Sequence, residues 1–312
     1  MTARGTEVHA FLGRAAARTI GDHSDGPAFL AHQTAMATST SAHPIRTLRE
    51  HVTALEAAIT LCLADPKPRS VHRLRTTTRR IEGQFAMLDL LSEIPQHDKL
   101  ARKAQQTLKQ LRRAAGKVRD LDVQLDLIQS VTPAKASPSF ERDSSELRAA
   151  LEDGRDVAAK KLLLKLRRRQ ADIALLLESL LETLEPVEGL ALSPAQLTTL
   201  ARDWFVSNTP PEPENDADNP DHLHALRKNA KLARYIAENA PKSAKTPHRL
   251  AASFESVQEA GGHWHDWLVL AEIADNKLGS ASPLTKAFTQ RRHLALTVYR
   301  RHLREVPAPE PL

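Results

Sequence analysis

Little in this chain favours β-structure. Aromatic residues make up only 4% of its 312 residues and glycines number 11, while Ala and Leu dominate the 41% that is hydrophobic. Pleated, half-buried surfaces select β-branched and aromatic side chains, so this mix favours helix over strand, and no segment reads as a strand. A single cysteine, Cys62, excludes an internal disulfide, and its place in the apolar run from Ile59 to Leu63 predicts a buried, inert thiol in a reducing compartment. No run is apolar over the length that a bilayer span needs, and the N-terminal stretch MTARGTEVHAFLGRAAARTI carries an Arg inside what would be a signal-peptide core. No membrane partner and a cytoplasmic location are therefore expected. Charge of one sign is also modest in total: 44 Lys and Arg against 38 Asp and Glu, a net of +6, which hints at an acidic partner.

What the chain has is helical periodicity and prolines. Ile45, Leu48, Val52, Leu55 and Ile59 recur at three and four residues, predicting a first helix from Pro44 to the Asp-Pro-Lys-Pro at 65–68. Further helices are predicted over 69–91, 97–131, 140–184 (one long helix or one broken, Gly154 being the place of a break), 194–206, 222–239, 247–278 and 283–304. Thr209 to Asp221, TPPEPENDADNPD, has four prolines and five carboxylates and reads as a solvated linker. The expected organisation is a mobile extension (1–42), a first helical half (43–208), the linker (209–221), a second half (222–305) and a tail (306–312).

The halves repeat one another. His72-Arg-Leu-Arg75 with Arg79 matches His224-Ala-Leu-Arg227 with Lys231, and each copy is followed by an Asp among apolar residues, Asp120 and Asp266, with Gly116 and Gly262 four residues upstream. On a helix, positions i, i+3 and i+7 share one stripe, so His72, Arg75 and Arg79 project together, as do His224, Arg227 and Lys231. Arg80 and Lys228 flank those stripes, and Arg234 with Tyr235 prolongs the second. Lys109, Arg112 and Arg113, flanked by Lys117 and Arg119, form a basic face on the third helix; Lys161, Lys165 and Arg168 form one on the fourth; Arg300 and Arg304, with His293, form one on the last. From Lys67 to Arg119 there are 14 Lys or Arg against 4 Asp or Glu. Converging faces of this kind make a positive groove that suits a linear phosphate polymer, because guanidinium forks match phosphate oxygens in pairs. The concentration of charge in the first half predicts an asymmetric groove.

The segments VHRLRTTTRRI at 71–81, GKVRDLDV at 116–123 and LHALRKNAKLARYI at 223–236 resemble the conserved histidine α-helical domain family, CHAD, and with the duplicated halves the resemblance covers about residues 44–305. It implies an all-α fold of two four-helix halves related by a pseudo-twofold axis. It also implies a central basic channel that binds inorganic polyphosphate without catalysis or cofactor, and association with polyphosphate granules. Residue by residue it supports His72, Arg75, Arg79, Arg80, Arg119 beside Asp120, His224, Arg227, Lys231 and Arg234. Two departures stand out: Glu82-Gly83 where a further basic residue is usual, and a His- and Trp-rich second Asp motif, GGHWHDW. No ExExK pattern of the triphosphatase domain sometimes fused to the family is present.

Taken singly, a basic stripe on a long helix is usually a solvated face; duplication and the histidines raise these above that reading. Asp120 and Asp266 are read as ion-pair partners rather than catalytic acids. His263 and His265, two apart on a helix, point about 200° apart and so do not suggest a metal site. Trp264 and Trp267 are read as core. The alternatives are a nucleic-acid-binding module, opposed by the scarcity of aromatics near the stripes, and a phosphatase or phosphotransferase using His72, opposed by the lack of an orienting carboxylate and of a P-loop.

Overall fold

A computed structural model describes residues 40–95, 97–133, 135–211 and 219–306. Most of the expected N-terminal extension, the middle of the linker and the C-terminal tail from residue 307 lie outside the described residues. Eight α-helices make up the fold: α1 (Pro44–Ala64), α2 (Pro68–Leu88), α3 (Asp98–Val131), α4 (Pro138–Leu184), α5 (Pro194–Asn208), α6 (Pro220–Ala237), α7 (Lys245–Leu278) and α8 (Pro283–Glu305). The architecture is all-α, with no strand among the described residues. Six of these helices open on a proline, whose fixed φ suits the first turn and whose missing N–H would have had no intrahelical partner there. Side chains of Ser137, Ser193, Asn219 and Ser282 cap α4, α5, α6 and α8.

Of the two readings of 140–184 the long helix holds: α4 runs unbroken for 47 residues, with no interruption at Gly154. A helical glycine costs only about 1 kcal/mol relative to alanine, and here it faces Leu121 of α3, whose side chain lies 3.8 Å from where a Cβ would stand. Packing along α3 overrides the local preference.

The apolar faces build two cores. Ile45, Leu48, Leu55, Leu74, Ile81, Phe85, Leu108, Leu111, Leu162, Leu166 and Leu177 join α1 to α4. Leu197, Leu223, Ile236, Phe254, Trp264, Trp267, Leu284, Phe288 and Tyr299 join α5 to α8, and Met87, Ile128, Phe140, Leu147 and Leu151 enter this second core from the first half of the chain. The long helices α3 and α4 thus serve both cores. Polar ties reinforce them. Arg155 on α4 donates to the buried carboxylate of Asp122 on α3 at 3.0 Å and to the carbonyl of Pro66 at 2.7 Å. Ser282, the cap of α8, donates to the buried Asp143 of α4 at 2.7 Å. Cys62 is buried and free, and burial pushes its thiol up to about 11, which keeps it protonated. No helix among the described residues is long and apolar enough to cross a membrane.

Candidate functional site

The repeat offset of 152 residues (224 minus 72) makes Gly83 the counterpart of Tyr235 (235 minus 83), and these two positions meet where α2 crosses α6. A Cβ on Gly83 would lie 2.7 Å from the Cβ of Tyr235, so the glycine that departs from the family pattern is what lets the two helices close on each other. One turn back from the crossing stand Arg79 on α2 and Lys231 on α6; a further turn back stand Arg75 and Arg227.

A glycine makes room for the repeated arginine in both copies, though at positions that differ by one residue. On α3, a Cβ at Gly116 would be 2.8 Å from a terminal nitrogen of Arg75, whose guanidinium extends to Asp120 at 4.0 Å. On α7, the tight position is Gly261, where a Cβ would be 3.1 Å from the Cδ of Arg227 and 2.7 Å from the ring of Tyr299; the predicted Gly262 is in ordinary contact at 3.6 Å. Asp266 acts electrostatically on Arg227, favouring its charged form against the burial that lowers it. Each arginine is therefore laid across a glycine, Gly116 four residues before Asp120 and Gly261 five residues before Asp266. Tyr299 is held by its hydroxyl, which donates to the carbonyl of Leu223 at 2.7 Å, and by stacking on Trp264.

Electrostatically the crossing is poorly neutralised. Burial, reinforced by Arg75 and Arg112, pulls the Arg79 guanidinium down to about 10. Burial together with Arg79, Arg227, Arg75 and Arg112 pushes Lys231 well below the usual lysine range. The Nε atoms of Arg79 and Arg227 are buried without a hydrogen-bond partner, although such groups normally have one. Arg112 is neutralised by Glu82 at 2.8 Å, the other departure from the family pattern. His72 feels Arg119 and Arg75, and its Nε2 has Thr76 Oγ1 at 3.4 Å. In the second half the position of Arg119 is taken by His265, which packs on His224 with ring centroids 5.2 Å apart. Burial and then Arg227, His224, Arg75 and Lys231 hold His265 down at about 4, so it is neutral at pH 7 where its counterpart Arg119 is a cation. Asp266 is pushed up to about 6 by burial, to which Asp120 adds, against the pull of Arg227, Arg75 and Arg119.

The cations brought together are thus Arg75, Arg79, Arg112, Arg119, Arg227, Lys228 and Lys231. Arg80 is exposed and is felt by His51 on α1 and by Tyr235. Other predicted residues stand elsewhere. Arg234 does not extend the ladder: it is bound by Glu238 at 2.6 Å and Glu255 at 2.7 Å. Tyr235 is buried at 9% exposure, and Trp264 and Trp267 at 2% and 3%, so none offers a face for a base to stack on. Lys109, Arg113 and Lys117 are exposed on α3, and Lys161 and Arg168 on α4, where Lys165 is half-buried. Arg300 and Arg304 line a different cavity, of about 630 Å³, with Phe205, His222 and Leu226. His263 and His265 diverge, since His263 accepts the indole N–H of Trp267 at 3.0 Å. The functional weight of His265 and the pairing of Glu82 with Arg112 were missed by sequence reasoning; the only signal was that both lie in segments departing from the family pattern.

Because a polyanion seated at the crossing would favour protons on its neighbours, Asp266, pushed up to about 6, and His265, held at about 4, should take up protons on binding. Affinity is expected to rise as pH falls from 8 to 6, by up to about tenfold per pH unit for each whole proton taken up. Calorimetric titrations with polyphosphate in two buffers of different ionisation heat will read the uptake directly, and proton release would contradict this account of the site.

An all-helical fold in which two repeated helices cross with their cations side by side is the class that the geometry defines. Comparison places it further: the chain matches the CHAD domain over residues 46–275 and belongs to that family. It is similar in structure to the CHAD domain from the plant Ricinus communis, with TM-score 0.58 and 18% identity over 89% of this chain and 97% of that one. It is also similar to PptA from Streptomyces chartreusis, with TM-score 0.55 and 14% identity over 85% of this chain and 100% of that one. At these identities the likeness is one of fold. Comparison with curated proteins finds no match.

Proposed function

We propose that this protein binds inorganic polyphosphate at the α2–α6 crossing and does so without catalysis. The observation that carries this reading is the group Arg75, Arg79, Arg227 and Lys231, gathered by two repeated helices with two guanidinium Nε atoms buried and unpartnered. Proteins seldom leave such atoms unsatisfied unless a ligand meets them, and phosphate oxygens are their matched acceptors. The titratable groups around His72 that influence it are cations, with no carboxylate orienting it, which favours binding over nucleophilic chemistry. The buried aromatics favour a polymer without bases over nucleic acid. Such a site would hold the protein on polyphosphate granules in the cytoplasm.

Long-chain polyphosphate titrated at rising salt tests the reading. With about five cations engaged, affinity should fall roughly 10²-fold between 50 and 200 mM salt, because each neutralised phosphate releases counterions. Polyphosphate should displace duplex and single-stranded DNA, and no phosphate should be released on incubation. Preferential binding of DNA would support the nucleic-acid alternative instead, and steady phosphate release would support an enzyme.

A further inference from the structure

The α6 turn that faces the crossing contains the one lysine among the half-buried cations of the cluster, since Lys228 is exposed. Lys231 lies four residues after Arg227 and four before Tyr235, and the seating of Tyr235 over Gly83 presses this turn against α2 and Arg79. No carboxylate pairs with Lys231 among the described residues, and the charges that act on it most are the cations Arg79, Arg227, Arg75 and Arg112; of the cluster's carboxylates, Glu82 is bound by Arg112 and Asp120 by Arg75, while Asp266 is pushed toward its neutral form by burial. The guanidiniums of Arg79 and Arg227 each keep an unpartnered Nε.

We propose that Lys231 is a site of covalent modification by small acyl phosphates, the phosphate being held by the surrounding guanidiniums while the lysine Nζ attacks the acyl carbon. This inference rests on the anion-binding reading above. The step balances without any oxidant or reductant. The Nζ lone pair forms the N–C bond, the bond from the acyl carbon to the phosphate oxygen breaks, and inorganic phosphate leaves with the electron pair. The proton shed by nitrogen goes to the departing phosphate or to water. Burial and the four neighbouring guanidiniums disfavour the ammonium form of Lys231 and so favour the amine that the attack requires. The arginines themselves stay charged and do not compete. The product is a neutral amide, so modification removes one cation from the crossing and weakens its hold on a polyanion.

Incubating the full chain with acetyl phosphate at pH 7.5 and following each lysine by mass spectrometry tests the proposal. Lys231 is expected to acetylate on the order of tenfold faster than the exposed Lys117 and Lys161, because guanidiniums that hold the donor's phosphate place its acyl carbon beside Nζ, whereas the exposed lysines meet it only by collision. Tripolyphosphate should suppress the reaction at Lys231 alone. Treated wild-type protein should lose about tenfold or more in tripolyphosphate affinity, whereas the affinity of K231R, whatever its starting value, should not change on treatment. Reaction at Lys231 no faster than at Lys117 overturns the proposal. So does equal preference for Lys231 with p-nitrophenyl acetate, a donor without phosphate. Calorimetry with untreated protein separates the two levels: tripolyphosphate binding without selective acylation sinks this inference alone, and no binding sinks the reading beneath it as well.

Discussion

Replacing Arg75 and Arg227 together by Gln is expected to weaken polyphosphate binding by about 10²–10⁴-fold, because hydrogen bonds to charged groups contribute roughly 1.5–3 kcal/mol each. These two arginines are the repeated pair laid across Gly116 and Gly261, with Asp120 acting on Arg75 and Asp266 on Arg227. Gln keeps most of the side chain's length and removes only the charge and the fork. The reversal to Glu should cost still more, since it sets a carboxylate against Asp120 or Asp266 as well as against the ligand. Circular dichroism and thermal melting must show both variants folded. The single changes should be unequal. In the first half Arg119 stands beside His72 as a permanent cation, while in the second His265, held at about 4, stands beside His224. R75Q is therefore expected to lose more affinity than R227Q. Affinity that survives the double Gln change would remove the crossing from consideration as the binding site, and equal single losses would refute its asymmetry.

Gly83→Ala is the second large effect, and its sign runs against helix propensity. Alanine in a helix interior gains about 1 kcal/mol over glycine, and G154A, where Leu121 leaves ordinary contact distance, should show that gain. At Gly83 the added methyl meets the Cβ of Tyr235 at 2.7 Å. That neighbour is fixed to the α6 backbone and cannot swing aside, so the two helices must separate. Overpacking of this kind costs typically 1–3 kcal/mol, and here the strained atom is not the far end of a flexible chain, so the cost falls at the upper end and, less the helix gain of about 1 kcal/mol, a net loss of about 2 kcal/mol is expected. Each kcal/mol should move the melting temperature by about 2–4 °C in a domain of this size. Separation of α2 from α6 also spreads Arg79 from Lys231, so polyphosphate affinity should fall together with stability. Truncating Tyr235 to Ala in the G83A background should restore part of the affinity. A G83A protein as stable as wild type would show that the crossing is not tightly closed in solution.

Much of this was legible in the chain itself. The starts of α1, α2, α4, α5 and α8 were placed to within two residues because prolines and serines mark them chemically. The stripes His72–Arg75–Arg79 and His224–Arg227–Lys231 followed from helical geometry, since a period of 3.6 residues is local and needs no partner to be read. Gly154 leaves a long and a broken helix both readable for the opposite reason: whether its cost of about 1 kcal/mol breaks the helix is decided by whether α3 packs along it. Arg234 illustrates the same limit. Its spacing extends the basic ladder of α6, but Glu255, which captures it at 2.7 Å, comes from α7. Which cation is neutralised depends on charges brought from other helices, and sequence spacing carries no information about them.

The sequence by itself determined the helices, their caps, the repeat and the residues on each basic face, because these follow from backbone periodicity and the chemistry of single residues. Only the tertiary structure decided which cations are left unpaired. Gly83 admits Tyr235, the α2–α6 crossing closes, and burial then raises the electrostatic cost of Arg79, Arg227 and Lys231 standing together. A charge is solvated or frustrated according to what is packed around it, and that packing comes from segments more than 100 residues apart in the chain, as Gly83 and Tyr235 are.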